Sequence, residues 1–326
     1  MTTAKKVVIV LICVLLLSAL IAVILQLDYW FGTPAEEDDG ERAGTVYFDG
    51  EAYRPKQMTN YLIIGLDEFG VPSESGSYNN QTHADFIVLL TMNHTDNTYS
   101  MIHFNRDTMT EITQLGVTGE KTGKVVQQLT LAYTYGDGMH VSCRNTAEAV
   151  ANMLKGVNID YYVAMSMDAV SIVTDYVGGV PVTVTEDMTA IDPAFTEGAS
   201  LLLNGDKALS YVRARQGLAD SSNLARMERQ KQFVNGLMGV LEQKNAQGID
   251  EAFVQELYNR TADYLITNAG YSAFMGLFDC IRDYQNSGLR SYEGRAVIGQ
   301  EFMEFYVDQA SFDAILKEWL FNKVKE

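Results

Sequence analysis

Two apolar runs, FIVLLTMN (residues 86–93) and YSMIHF (residues 99–104), are separated by a short polar stretch, and a charged residue flanks each. Runs of this length, rich in β-branched and aromatic residues and bounded by turn formers, predict a hairpin turning across residues 94–98. Antiparallel pairing has a consequence for the flanks. Asp85, just before the first strand, and Arg106, just after the second, arrive at the same sheet edge. YLIIGL (residues 61–66) predicts another buried strand, ending at Asp67. If it runs antiparallel to residues 86–93, Asp67 joins that edge, and two carboxylates and a guanidinium gather at one end of a sheet.

A second basic group lies in YVRAR (residues 211–215) and LARMERQ (residues 224–230), joined by a polar loop. Arg213 and Arg215 are two apart on what reads as an extended segment, so they point the same way. Arg226 and Gln230 stand at i and i+4 on one helix face. That helix is predicted to start just after Asn223, a good N-cap type, and to run to about Lys244. Arg226 then sits in the first turn, where the helix dipole disfavours a cation, and this placement points to a bound anion. Pairing with surface carboxylates is the plainer alternative for any single arginine; the group as a whole favours an anion site.

The remaining pattern alternates strands and helices. Asp49-Gly50 marks a tight hairpin, and residues 70–82 read as a polar loop. Asn145 with Glu148 predicts a capping box for a helix carrying Val150, Ala151 and Leu154 inward. YYVAMSM reads as a strand, and a helix over residues 168–177 stops at Gly178-Gly179 before the strand VPVTV. A short helix follows Asn204. Further helices are predicted near residues 253–265, over residues 271–284 with Asn268 as cap, and over residues 311–322. This order predicts one α/β domain with helices on both faces of a sheet.

With 326 residues and 47% hydrophobic content, the chain can bury a substantial core. Its net charge of −18 and pI near 4.6 repel nucleic acid phosphates, so no nucleic acid partner is expected. Residues 7–27 carry no charge and are long enough to span a bilayer. Lys5 and Lys6 precede them, while Asp28 and then Glu36, Glu37, Asp38 and Asp39 follow. The positive-inside rule places the N-terminus in the cytoplasm and the remainder outside, with Tyr29, Trp30 and Phe31 at the interface. The run exceeds a usual signal-peptide core and lacks a small-x-small cleavage site, so it reads as an uncleaved signal-anchor in the cell membrane. The expected organisation is a cytoplasmic tail (1–6), a transmembrane helix (7–27), a tether with a short hairpin (28–59) and an extracellular catalytic domain (60–326). Cys13 lies in the span. A disulfide between Cys143 and Cys280 is chemically permitted but does not follow from two residues.

Two isolated carboxylates at one edge, Asp67 and Asp85, suit Mg²⁺, which keeps several waters and is held by one or two carboxylates plus substrate phosphate oxygens. Together with the arginines they predict a clamp for a phosphoryl group. The chain has no Gly-rich phosphate loop of the Walker type and no nucleophile elbow, and His83, His94, His103 and His140 lack HExxH spacing.

The segments YLIIGLD, HADFIVLLTM, HFNRDT, IDYYVAM, VGGVPV, NGDKALSYVRAR and ARMERQ, in this order, resemble the LytR-CpsA-Psr family of cell-wall glycopolymer ligases. The likeness runs from about Tyr61 to the end of the chain. It implies an α-β-α sandwich with a central mixed sheet and a hydrophobic tunnel for a polyprenyl chain. The implied activity is transfer of a polyprenyl-pyrophosphate-linked glycopolymer to peptidoglycan. By that resemblance Asp67 and Asp85 match the metal-binding aspartates, and Arg106, Arg213, Arg215, Arg226 and Gln230 match the pyrophosphate-binding positions. Asp67, Asp85 and Arg106 are the expected catalytic group. His83 stands where the family usually has arginine and is expected to join the pyrophosphate-binding group; Asn223 stands where the family often has aspartate and is expected to keep the helix cap, and Asn105, where proline is common, reads as a backbone detail. A lipid-phosphate-binding envelope regulator and a lipid pyrophosphatase are the alternative functions.

Overall fold

The computed structural model describes residues 44–300 and 302–324. The uncharged run at residues 7–27 and the acidic tether that follows it lie outside these. Among the described residues no helix is long and apolar enough to cross a membrane.

Asp49 and Gly50 take φ values of 52° and 82°, the paired left-handed conformation of a two-residue hairpin turn, and join β1 (Val46–Phe48) to β2 (Glu51–Pro55). The predicted hairpin follows as β4 (Ala84–Asn93) and β5 (Thr98–Phe104), preceded by β3 (Met58–Leu66), which takes the antiparallel option against β4. Next comes an unpredicted hairpin, β6 (Met109–Leu115) with β7 (Lys121–Gln128), then α1 (Leu131–Thr134) and α2 (His140–Met153). Strand β8 (Tyr161–Met165) returns parallel to β3. It is followed by α3 (Met167–Tyr176), the hairpin β9 (Val180–Thr183) and β10 (Ser200–Leu203), α4 (Gly205–Arg213), α5 (Asn223–Ala246) and α6 (Glu251–Thr261). The chain ends with β11 (Leu265–Thr267), α7 (Tyr271–Asp283), β12 (Gln285–Arg290), the hairpin β13 (Gly294–Ile298) and β14 (Met303–Val307), α8 (Gln309–Trp319) and β15 (Phe321–Lys323), which pairs with β2.

The central sheet has six strands in the order β11-β8-β3-β4-β5-β12. Its β3/β8 and β5/β12 pairs are parallel and the others antiparallel, so the sheet is mixed. Side-chain alternation divides it into two apolar faces. Leu62, Ile64, Leu66, Ile87, Leu89, Ile102 and Phe104 pack with Cys143 and Val150 of α2 and Phe312 and Leu316 of α8. On the other face Tyr61, Val88, Leu90, Tyr99 and Met101 pack with Ala208 and Val212 of α4 and Phe233 and Met238 of α5. Both faces are thus covered by helices, as expected for this order of elements.

Several local expectations are corrected. Asn145 lies inside α2 rather than at its start; its amide donates to the carbonyls of Thr113, Ala132 and Tyr135, and Glu148 accepts from Thr113. The cap of α7 is Gly270, while Asn268 braces β8 by accepting from the Tyr162 N–H. The terminal helix stops at Trp319 because residues 321–323 extend the β1/β2 ribbon. Cys143 and Cys280 are both free and belong to opposite faces of the sheet.

Candidate active site

The site is built at the C-terminal end of β3. Asp67 follows that strand directly, and its backbone N–H donates to the His83 carbonyl at 3.2 Å, which ties it to the start of β4. Strict alternation would send Asp85 to the face of Ile87 and Leu89. The register instead jumps: Gly65 opposes Phe86 and Leu66 opposes Ala84, leaving Asp85 as an extra, unpaired residue. Such a bulge re-aims one side chain, and here it brings Asp85 round to the cavity face. The close approach needs glycine at position 65, where a Cβ would stand 2.9 Å from Phe86 Cβ. Asp85 therefore lies within β4 rather than before it, and it reaches the predicted edge through the bulge.

Around Asp85 the two basic groups of the sequence meet. Arg106 Nη1 donates to Asp85 Oδ1, and Arg226 Nη1 donates to Asp85 Oδ2 at 2.7 Å. Arg106 also lies 3.3 Å from Asp107 Oδ1, whose second neighbour is Gln128 Nε2 at 3.1 Å. Burial, with Arg226 close by, lowers the Arg106 pKa. Burial, then the neighbouring Arg215, brings Arg226 down to about 10. Both effects express one fact: positive charge is concentrated here with little water, an arrangement that favours an anion.

The opening of α5 differs from expectation in its cap. Ser222 is the N-cap and accepts from the Ala225 N–H at 3.1 Å. Asn223 is the first helical residue, and its side chain turns inward to accept from Arg226. Arg226 stays in the first turn of a 24-residue helix, as predicted. Arg213 is not on an extended segment. Asn204 caps α4 by accepting from the Lys207 N–H, and helical residues continue to Arg213, with Ala214 turning the chain out. Even so, Arg213 and Arg215 both line the cavity described below. Arg213 stacks its guanidinium 4.9 Å from the Phe69 ring, and Arg215 Nε donates to the Ser221 carbonyl at 3.4 Å.

His83, expected at the pyrophosphate, does not itself line that cavity but borders it through Asp67, which does. Its backbone N–H donates to Asp67 Oδ1 at 2.7 Å, and Nδ1 lies 3.3 Å from Asp67 Oδ2. Burial alone would raise the Asp67 carboxyl, but these hydrogen bonds and the charges of His83 and Arg106 hold it below its usual range.

A cavity of about 780 Å³ opens at this cluster. Asp67, Asp85, Arg213, Arg215, Arg226 and Gln230 form its polar part, while Ile63, Phe86, Val88, Leu90, Met101, Phe233, Leu237, Met238, Leu277 and Ile281 line the rest. Two rulers give its length. From Asp85 to Leu90 along β4 is roughly 17 Å, and from Arg226 to Met238 along α5 is roughly 18 Å. A charged mouth thus continues into a deep apolar slot, with Gln230 at the junction carrying a buried Oε1 that has no hydrogen-bond partner in the protein.

The metal expectation rests on Asp67 and Asp85 alone, because no group of three or more metal-ligating side chains occurs among the described residues. Two carboxylates fit a hard cation that retains waters and phosphate oxygens, and exclude a closed protein cage. Each Asp85 oxygen keeps a lone pair beyond its arginine contact.

Fold and site together define an α/β domain with an apolar slot beneath an aspartate–arginine mouth. The LytR_cpsA_psr family model matches residues 33–319, and the chain belongs to that family. It is 31% identical over 209 residues to the polyisoprenyl-teichoic acid–peptidoglycan teichoic acid transferase TagU of Halalkalibacterium halodurans, a match spanning 63% of this chain and 59% of the relative. TagU of Bacillus subtilis is 28% identical over 183 residues, 56% of this chain and 52% of the relative. Both matches cover less than two thirds of the relatives' own length. Among solved structures, B. subtilis TagV has a TM-score of 0.59 at 21% identity, covering 81% of this chain and 96% of TagV. TagT bound to LIIa-WTA also scores 0.59, at 23% identity, covering 80% of this chain and 89% of TagT. These two share the fold.

Asn105 is the residue whose importance the sequence concealed. It is a backbone detail and more: its side-chain oxygen accepts from the Asp107 N–H and also from Asn223 Nδ2. Gln128 and Phe69 join the site through partners distant in the chain, Asp107 and Arg213, and Asp107 pairs with its neighbour Arg106.

Proposed function

We infer that the protein is a membrane-anchored phosphotransferase that moves a polyprenyl-pyrophosphate-linked glycopolymer onto peptidoglycan, releasing polyprenyl phosphate. The observation that carries this reading is the single cavity with a cationic mouth and an apolar interior, which matches a ligand with a pyrophosphate head and a hydrocarbon tail. The relatives named as polyisoprenyl-teichoic acid–peptidoglycan teichoic acid transferases support the same class of reaction.

In this mechanism Arg226, Arg213 and Arg215 grip the pyrophosphate by charge-assisted hydrogen bonds, with Gln230 lining the junction of head and tail. Arg106 acts one step back by holding Asp85. The apolar walls take the polyprenyl chain and exclude water from the reacting phosphorus. An acceptor sugar hydroxyl attacks the phosphorus nearest the glycan, one of the carboxylates Asp67 and Asp85 takes up its proton, and the bond from that phosphorus to the bridging oxygen breaks so that polyprenyl phosphate leaves with the electron pair. Asp67 and Asp85 would hold Mg²⁺, which supplies charge neutralisation to phosphate oxygens when bound. The anchor at residues 7–27 would keep the domain on the outer side of the membrane, within reach of lipid-linked donor and peptidoglycan.

The test is product analysis with purified protein, lipid-linked glycan, Mg²⁺ and peptidoglycan. Polymer attached to peptidoglycan is the expected product. Free glycan phosphate with no attached polymer would make the protein a lipid pyrophosphatase, and tight binding without turnover would make it a lipid-phosphate-binding regulator.

A further inference from the structure

A relay of amides runs from the end of β5 to the first turn of α5. Asn105 is 3% exposed and Asn223 8%. The backbone N–H of Asp107 donates to Asn105 Oδ1 at 2.9 Å, and a backbone N–H is a donor only. Asn105 must therefore present its oxygen there. The Asn223 atom 2.8 Å from that same oxygen is then the Nδ2 donor, which leaves Asn223 Oδ1 facing Arg226. It accepts from Arg226 Nε at 3.1 Å and Nη2 at 2.6 Å. One backbone donor thus sets the orientation of two amides and, through them, the plane of a guanidinium.

The neutrality of this acceptor has a chemical consequence. A carboxylate at position 223 could hold Arg226 by the same two contacts, but it would neutralise the guanidinium and set an oxygen against Asn105 Oδ1, acceptor facing acceptor. The amide orients Arg226 without cancelling its charge. The nearby anionic partner, Asp85, is already shared with Arg106. Of the five guanidinium N–H donors, three are used by Asn223 and Asp85, so two remain for a ligand. We propose that Asn105 and Asn223 form a positioning unit that orients Arg226 at the cavity mouth while reserving its charge for an anionic ligand. This rests on reading that mouth as a pyrophosphate site.

The experiment is calorimetric titration of the full chain in detergent with inorganic pyrophosphate at fixed Mg²⁺. The proteins compared are the parent, Asn223→Ala, Asn223→Asp, Asn105→Ala and the Asn105→Ala/Asn223→Ala double variant, each first checked by circular dichroism and thermal melting. Asn223→Ala is expected to weaken binding about tenfold or more, the scale of a lost hydrogen bond to a charged group. The near-isosteric Asn223→Asp is expected to keep its fold and still lose affinity, which a purely structural role would not produce. The double variant should bind within twofold of Asn223→Ala, because the relay acts as one unit. Affinity of Asn223→Asp within twofold of the parent, or losses that multiply in the double variant, would overturn the proposal. These outcomes decide the matter even if Asn223→Ala fails to fold, since Asn223→Asp still reads the charge. A parent that binds no pyrophosphate removes the site reading and this proposal together; a parent that binds while Asn223→Asp matches it removes this proposal alone.

Discussion

Arg226 meets Asp85 across 141 positions of sequence, Nη1 to Oδ2 at 2.7 Å, and the contact joins the bulged start of β4 to the first turn of α5. The Arg226 side chain is only 5% exposed. Asp85→Asn would leave two guanidinium groups, Arg106 and Arg226, without their shared carboxylate. Breaking one side of a buried pair costs about 3–5 kcal/mol, so this variant should melt well below the parent, and added pyrophosphate should restore part of the loss by supplying the missing negative charge. Asp67→Asn, whose side chain is 36% exposed, should change stability far less while abolishing Mg²⁺-dependent turnover. Calorimetric melting with and without pyrophosphate, alongside turnover assays, checks both. An unchanged melt for Asp85→Asn would mean that the arginines are solvated and the mouth is not a charge trap.

The arginines should not be equivalent. Truncating Arg226, buried and held at three donors, should cost about 2–5 kcal/mol in binding of a polyprenyl pyrophosphate. Arg213 is exposed and stacked on Phe69, so Arg213→Ala should cost less, about 1 kcal/mol from the exposed charge and the lost ring contact. Equal losses measured by titration would contradict this ranking.

Much of this geometry was legible in the sequence, for reasons that can be named. Asp67 and Arg106 follow strands whose pairing is dictated by long apolar runs and a short polar turn, so their convergence needed only antiparallel logic. Arg226 was placed correctly because a helix start is signalled within a few residues. Arg213 was misread because alternation in YVRAR resembles a strand, whereas the Asn204 cap and the good helix formers Lys207, Ala208 and Leu209 carry the helix through it. Neither the bulge at Asp85 nor the Asn105–Asn223 contact leaves a local trace. The first is a one-residue slip between strands, and the second joins residues 118 positions apart.

Acid should destabilise the fold through His103. This ring is 1% exposed with an unpartnered Nδ1, and burial, with Arg226 and Lys231 adding to it, pushes its pKa down to about 3. The unfolded chain binds this proton near pH 6.5. Between those values the unfolded state holds the extra proton, so stability is full above about pH 6.5 and falls as pH drops toward 3. The loss between pH 7 and pH 5 from this one group is about 2 kcal/mol. His103→Gln should flatten the urea-unfolding free energy over that interval by this amount relative to the parent. Parallel profiles for the two proteins would show that another group titrates there.

The proposed orientation predicts that protease added to intact protoplasts digests the domain from Tyr53 onward, because Lys5 and Lys6 precede the uncharged run and acidic residues follow it. Complete protection of the domain would place it in the cytoplasm, away from peptidoglycan.

The cavity itself separates head from tail recognition. Leu237 lines its apolar part on α5, about two turns past the Gln230 junction. Leu237→Trp would fill space beyond the pyrophosphate without touching Asp85, Arg226 or Gln230. Inorganic pyrophosphate, which has no tail, should therefore bind within twofold of the parent. A long polyprenyl pyrophosphate should bind worse, since excluding even two methylene groups costs roughly 1.6 kcal/mol, about fifteenfold. A short prenyl pyrophosphate whose chain ends before Leu237 should fall between them. If the long-chain ligand binds Leu237→Trp as tightly as the parent, the hydrocarbon does not lie between the sheet and α5. If inorganic pyrophosphate is weakened in the same proportion, the substitution has disturbed the mouth, and the slot and the arginine cluster are one rigid unit rather than separable halves.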